Sequence, residues 1–205
     1  PESNREDLRI IEEEVSRLSL LTDRIGDFLR DPVGHPEMID LDEFVQEMIL
    51  RYDRQIRYTS ESEKELQIRF DRQRLRSVME NLINNALESQ AARQDSPPVA
   101  IRLSVPRNRV EIAVLDRGEG VPADAGEKIF DPFYTNKTSG SGVGLSISKR
   151  FVEAAGGTLR VQGRKDGGTQ AVVVLPRVNT RTGGPLQARQ SRSDPPQADP
   201  PRGSS

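Results

Sequence analysis

The stretch Val110-Glu111-Ile112-Ala113-Val114-Leu115-Asp116-Arg117-Gly118-Glu119-Gly120-Val121 decides how this chain is read. Its first half has the composition of a strand, and its second half is a carboxylate followed at once by a glycine-rich turn. A lone acceptor carboxylate in such a turn suits a hydrogen bond from an exocyclic amine. About twenty residues further on comes a second glycine box, Gly140-Ser141-Gly142-Val143-Gly144. Glycines there let backbone N–H groups close on phosphate oxygens with no Cβ in the way. Upstream of both boxes, Asn81 and Asn85 stand one helical turn apart. Their amide oxygens then face the same side and can hold a hard cation such as Mg²⁺. Base acceptor, phosphate cradle and metal ligands together point to an ATP site.

Working outward, the flanking segments read as a mixed domain over residues 40–178. Leu75, Val78, Met79, Leu82, Ile83 and Ala86 recur at helical spacing and make one buried face of the helix that carries the asparagines. Leu41 to Tyr52 has the same period, and Leu66 to Phe70 alternates as a strand. Val99 to Val105 and Val110 to Leu115 form a hairpin across Pro106-Arg107-Asn108. Leu145 to Ala155 reads as a helix stopped at Gly156-Gly157. Thr158 to Gln162 and Thr169 to Leu175 close the sheet as a second hairpin, turning at Asp166-Gly167-Gly168. Strands in hairpins with helices on one face predict an α+β fold, a two-layer α/β sandwich.

One long helix precedes this domain. Leu8, Val15, Thr22 and Leu29 form one heptad series and Ile11, Leu18 and Ile25 the other, widened by Leu21 and Phe28. That stripe suits a four-helix bundle better than a two-helix seam, although a helix lying on its own domain is the alternative. Residues 1–31 are therefore read as a bundle helix and residues 32–39, with Pro32 and Pro36, as a hinge. Residues 179–205 are rich in Pro, Gly, Ser, Gln and Arg without periodicity and are expected to be disordered. A formal net charge of −2 gives no basic field that would recommend nucleic acid. The absence of cysteine excludes disulfides and thiolate metal sites. No apolar run reaches the roughly 18 residues of a membrane span, so no membrane contact is expected of this stretch. A chain opening on Pro1 reads as a fragment, whose parent is expected to act in the cytoplasm, with an inner-membrane anchor as an option.

The joint pattern resembles the ATP-binding domain of sensor histidine kinases, in the superfamily shared with gyrase, Hsp90 and MutL. The N box matches Glu80-Asn81-Leu82-Ile83-Asn84-Asn85-Ala86-Leu87-Glu88-Ser89, the first glycine box Asp116 to Val121, the F box Phe130-Asp131-Pro132-Phe133-Tyr134-Thr135, and the second glycine box Gly140 to Leu145. The resemblance implies the Bergerat-type fold. It implies that Asp116 accepts from the adenine amine, with Gly118, Gly120, Val121 and Thr169 around the base. Asn85 would coordinate Mg²⁺, Asn81 would assist, and Gly140, Gly142, Val143, Gly144 and Leu145 would meet the phosphates. Val121 to Ser139 would form a lid, with Phe130, Phe133 and Tyr134 as its apolar anchors or as ordinary core residues.

Two departures stand out. Many sensor kinases carry a lysine and a tyrosine shortly after the second N-box asparagine, where this chain has Glu88 and Ser89. Lys137 is the expected replacement, as in kinases of the nitrogen-regulation type, with Arg117 a weaker candidate; Lys137 as a solvated lid charge is the alternative. The phosphoacceptor is the second departure. The sole histidine, His35, is held between Gly34 and Pro36 and cannot sit mid-helix. The implied function is thus the catalytic portion of a kinase whose acceptor histidine lies outside the chain. Its expected partners are that phosphoacceptor helix, a response regulator receiver domain and a second copy in the intact kinase. The alternative is an ATP-binding conformational switch or scaffold without turnover. Hydrolysing relatives need a general-base glutamate where this chain has Asn81, and Glu80 is turned about 100° away on the helix.

Overall fold

Strand β5 (Arg109–Leu115) runs through the middle of a five-stranded sheet, whose order is β2 (Ile56–Ser60), β4 (Val99–Ser104), β5, β7 (Thr169–Pro176) and β6 (Thr158–Gly163). The computed structural model describes residues 31–52, 55–62, 66–91, 96–122, 125–135 and 141–178, and the isolated positions Ile11, Val15 and Gly26. β4 and β5 pair antiparallel, as do β6 and β7, and β7 lies against β5 in the same sense. Alternation along β5 explains its two faces. Val110, Ile112 and Val114 are buried toward the helices, while Ala113 and Leu115 join Val172 and Val174 in a smaller cluster.

Helices α1 (Leu41–Ile49), α2 (Arg72–Gln90) and α3 (Gly144–Ala154) form the second layer. The stripe read on α2 is buried at every position from Leu75 to Ala86. It shares one core with Phe44, Val45 and Met48 of α1 and with Ile147, Phe151 and Val152 of α3. Replacing Leu82, 2% exposed, by alanine would cost about 2–5 kcal/mol. Asp40 caps α1 by accepting from the Glu43 N–H at 3.0 Å, and Asp71 caps α2 by accepting from the Arg74 N–H at 3.1 Å. Glu47 of α1 accepts from Arg72 and Arg76 of α2, and these guanidinium hydrogen bonds hold its carboxyl below the usual range.

The α+β two-layer architecture is as expected, with two additions. β1 (Glu37–Asp40) pairs antiparallel with β3 (Gln67–Phe70), so the segment read as a hinge has entered a strand by Glu37. β2 (Ile56–Ser60) pairs parallel with β4, so the sheet is not built from hairpins alone. Arg57, Thr59 and Ser60 are exposed on this edge strand, and only Ile56 and Tyr58 pack on the core. Such a strand carries little hydrophobic alternation. Tyr58 donates to Asp42 of α1; burial, then this bond, pushes its phenol well above the usual range.

The linker before β1 is docked. The His35 N–H donates to Asp71 Oδ2 at 2.8 Å, and Gly34, at φ 62°, sits where a Cβ would lie 2.3 Å from that oxygen. Of the predicted bundle stripe, Ile11 and Val15 are described; both are helical and more than half exposed. The rest of that helix and the tail 179–205 lie outside the described residues.

Candidate nucleotide site

A cleft of about 470 Å³ opens between α2, the end of β5, the start of α3 and the near ends of β6 and β7. Asp116, 5% exposed, stands where β5 ends. Its Oδ1 accepts from the Gly118 N–H at 2.8 Å and the Thr169 N–H at 2.9 Å. Its own N–H donates to the Thr169 carbonyl at 3.0 Å. Oδ2 has no partner among the described residues, so one fixed carboxylate oxygen is left to meet a donor in the cleft. Two neutral donors hold a buried charge in place. Gly118 itself is absent from the lining: a Cβ there would lie 2.2 Å from Ser89 Oγ, so this glycine lets the turn press on the last turn of α2. Gly120, at φ 87°, and Val121 do line the cleft, as does Thr169.

At the other end, α3 begins without a side-chain cap. Val143 occupies the N-cap position with 3% exposure and has no side-chain acceptor for the first N–H groups of its helix. The first N–H groups of α3 therefore keep their partial positive charge for the cleft, where Gly142, Gly144 and Leu145 line the wall. Gly144 is pressed against the N box: a Cβ there would come within 2.1 Å of Asn81 Oδ1. Asn81 Nδ2 donates to Ser148 Oγ of α3 at 3.0 Å, so this residue ties α2 to α3. Asn85, one turn on, lines the cleft and carries an amide oxygen of the hard kind that Mg²⁺ takes.

The family model for histidine kinase-, DNA gyrase B-, and HSP90-like ATPases matches residues 70–179, more than half of the chain. The chain belongs to that family. It carries the ATP-binding catalytic domain of a sensor histidine kinase. The chain is 29% identical to sensor protein kinase PilS of Pseudomonas aeruginosa over 167 residues, 78% of this chain and 32% of PilS. It thus spans about a third of that relative's length. The nucleotide-free catalytic domain of histidine kinase ThkA superposes with a TM-score of 0.60 at 28% identity, over 69% of this chain and 95% of that one. Full-length ShkA in complex with AMPPNP shares the fold, with a TM-score of 0.71 at 24% identity over 85% of this chain and 39% of ShkA.

The described wall of the kinase-type cleft carries acidic charge only. Glu80, Glu88 and Asp116 stand on it, and no lysine or arginine does. Arg117, the weaker cationic candidate, is turned to Asp166, meeting its carboxylate at 2.7 Å and its carbonyl at 2.6 Å. Lys137 and Gly140 lie outside the described residues. The F box divides. Phe130 is buried on α3 beneath Lys149, whose Nζ lies 4.4 Å from the ring centre, while Phe133 is 69% and Tyr134 40% exposed. Phe133 sits at φ 69°, its N–H donating to the Gly142 carbonyl at 2.9 Å. F box and second glycine box are thereby one folded unit.

Sequence reasoning missed the residues that hold this kinase site from behind. Gln90 Oε1 accepts from the Arg117 N–H at 2.6 Å. Gly168, at φ 88°, lies so close that a Cβ would be 2.2 Å from the Asp116 carbonyl oxygen. Arg164 Nη1 donates to that same carbonyl at 3.0 Å. The double glycine at 167–168 signalled a tight turn, and nothing local signalled what the turn packs against. No group of three or more His, Cys, Asp or Glu arranged to hold a metal occurs among the described residues. No helix among them is long and apolar enough to cross a membrane.

Proposed function

We propose that this chain is the catalytic portion of a sensor histidine kinase that transfers the ATP γ-phosphoryl group to a histidine outside the chain, for relay to a response regulator. The observation that carries the reading is the pairing, in one cleft, of a rigidly held base acceptor, Asp116, with an uncapped helix start at Gly144. Adenine donates its amine to Asp116 Oδ2. The triphosphate lies toward Asn85 and the N–H groups of Gly142, Val143, Gly144 and Leu145. By the family resemblance, Gly140 would add a backbone N–H and Lys137 a cation for the γ-phosphate.

Mg²⁺ fits the donors present, because it binds through one or two protein oxygens and completes its shell from phosphates and water. Asn85 offers one such oxygen. Asn81, committed to Ser148, assists chiefly by fixing the spacing of α2 and α3. When bound, the metal would neutralise phosphate charge on a wall whose described charged side chains are all acidic. The acceptor imidazole nitrogen attacks the γ-phosphorus. An N–P bond forms as the bond to the β,γ-bridging oxygen breaks, ADP departs with the electron pair, and the imidazole proton is lost. The chain's part is positioning and charge neutralisation.

The acceptor helix, homodimerisation through the 1–31 helix and a membrane-anchored parent complete the proposal. Its test supplies the chain with Mg²⁺-ATP and a phosphoacceptor hairpin from a similar kinase. Acid-labile phosphate should appear on the hairpin histidine and disappear with Asn85→Ala. Binding without transfer would favour the conformational-switch reading.

A further inference from the structure

The strongest unexplained cluster lies behind Asp116, on the turn between β6 and β7. Arg164 is 18% exposed and uses all three guanidinium nitrogens. Nε and Nη2 donate to Asp166 Oδ1 at 3.1 Å and Oδ2 at 2.9 Å, and Nη1 donates to the Asp116 carbonyl at 3.0 Å. Asp166 in turn meets Arg117 Nη1 at 2.7 Å. The turn is closed by Arg164 N–H to the Gly168 carbonyl at 2.9 Å and by Gly167 N–H to the Arg164 carbonyl at 3.2 Å. Gly167 and Gly168 both take positive φ, 86° and 88°, a path that L side chains resist. Arg117, Arg164, Asp166, Gly167 and Gly168 are all absent from the lining of the nucleotide cleft.

The consequence is geometric. The carbonyl of Asp116 is held by Arg164, its N–H by Thr169, and its Oδ1 by Thr169 and Gly118. Apart from the Gly118 bond, every tie comes from the hairpin of β6 and β7. Oδ2 can point at a base amine only as accurately as that hairpin is fixed on the end of β5. A planar guanidinium that reads a carboxylate and a carbonyl at once is suited to this, and a lysine could satisfy one of them but not both in plane.

We infer that Arg164, braced by Asp166, is a positioning residue for adenine selectivity: it acts through Asp116 and touches no nucleotide. The inference rests on the ATP reading above and names how that site chooses its base. An effect routed through Asp116 is felt by a nucleotide that has the exocyclic amine and not by one that lacks it. General loosening of the cleft weakens both alike.

The test is calorimetric titration of the full 205-residue chain with non-hydrolysable ATP and with the matching purine nucleoside triphosphate lacking the exocyclic amine. Wild type should bind the amine-bearing nucleotide about tenfold or more tightly, the worth of a hydrogen bond to a charged acceptor. Arg164→Gln should lose most of that preference, with affinity for the amine-free nucleotide kept within about twofold. Asp166→Asn, which weakens the brace by removing its charge and one acceptor oxygen and leaves Arg164 in place, should lose part of it and guards against a folding defect in the first variant. Equal weakening toward both nucleotides, or a preference unchanged in both variants, overturns the inference. Failure of wild type to bind either nucleotide would overturn the ATP reading itself and this inference with it.

Discussion

Helices α2 and α3 begin with the same surplus of backbone N–H donors, and the molecule treats the two ends in opposite ways. At α2, Asp71 supplies both carboxylate oxygens: Oδ1 to the Arg74 N–H at 3.1 Å, Oδ2 to the His35 N–H of the incoming linker at 2.8 Å. The charge of that helix end is used up within the fold. At α3 the corresponding residue is the buried Val143, which anchors the helix in the core and caps nothing. Its neighbours Gly142 and Gly144 pack against Phe133 and Asn81 with no room for a Cβ. One end is sealed with an acid and built for stability. The other is held open by apolar packing and left for a ligand that brings its own negative charge.

The largest effect should come from the acceptor opposite the open end. Asp116→Asn can keep the bonds from Gly118 and Thr169 through Oδ1, but it turns an amide donor toward the base amine. ATP affinity should fall about 100-fold, read by calorimetry, with little change in thermal stability. Gly142→Ala attacks the open end itself. At φ 68°, with a Cβ 2.5–2.7 Å from the backbone of Phe133, the variant should lose about 2 kcal/mol by chemical denaturation and bind nucleotide more weakly. If it proves neutral in both, the open end is not held as described.

Asp71→Ala addresses the sealed end. It should cost about 1 kcal/mol of stability as the α2 cap is lost, and leave ATP affinity within about twofold. The smallest effect is pH dependence at the same residue. Burial raises the Asp71 carboxyl, but the backbone donors at His35 and Arg74 outweigh it and hold it below its ordinary value of 3.8. A depressed carboxyl stabilises the fold above its unfolded pKa, and the contribution is lost as pH falls through the folded value. Denaturation midpoints of wild type and Asp71→Asn should therefore converge below about pH 4 and separate above it.

How much of this could be read from the chain differs with the range of the interactions. α2 was legible because Leu75 to Ala86 repeat with the helical period and every one is buried. Asp116 was legible because a carboxylate at a strand end before Gly118 and Gly120 is a local signature, and the cleft gathers it with Asn81, Asn85, Gly142 and Gly144. β2 was not legible: it is an exposed edge strand whose parallel partner β4 lies across β3 and α2 in sequence. Nor was β1, where Glu37, Met38, Ile39 and Asp40 have one buried residue between them and pair through the backbone. The brace of Arg164 and Gln90 on the Asp116 loop, and the use of Gly118 to meet Ser89, depend on contacts between distant segments. Local pattern carries no trace of those.

The most direct test of the account is calorimetric titration with a non-hydrolysable ATP analogue, with and without Mg²⁺, on wild type, Asn85→Ala and Asp71→Ala. The acidic wall and open helix end predict binding that depends on Mg²⁺, weakens about tenfold or more in Asn85→Ala, and is unchanged in Asp71→Ala. Wild type that binds no nucleotide under either condition, or an Asn85→Ala variant that binds as tightly as wild type with Mg²⁺, would contradict it.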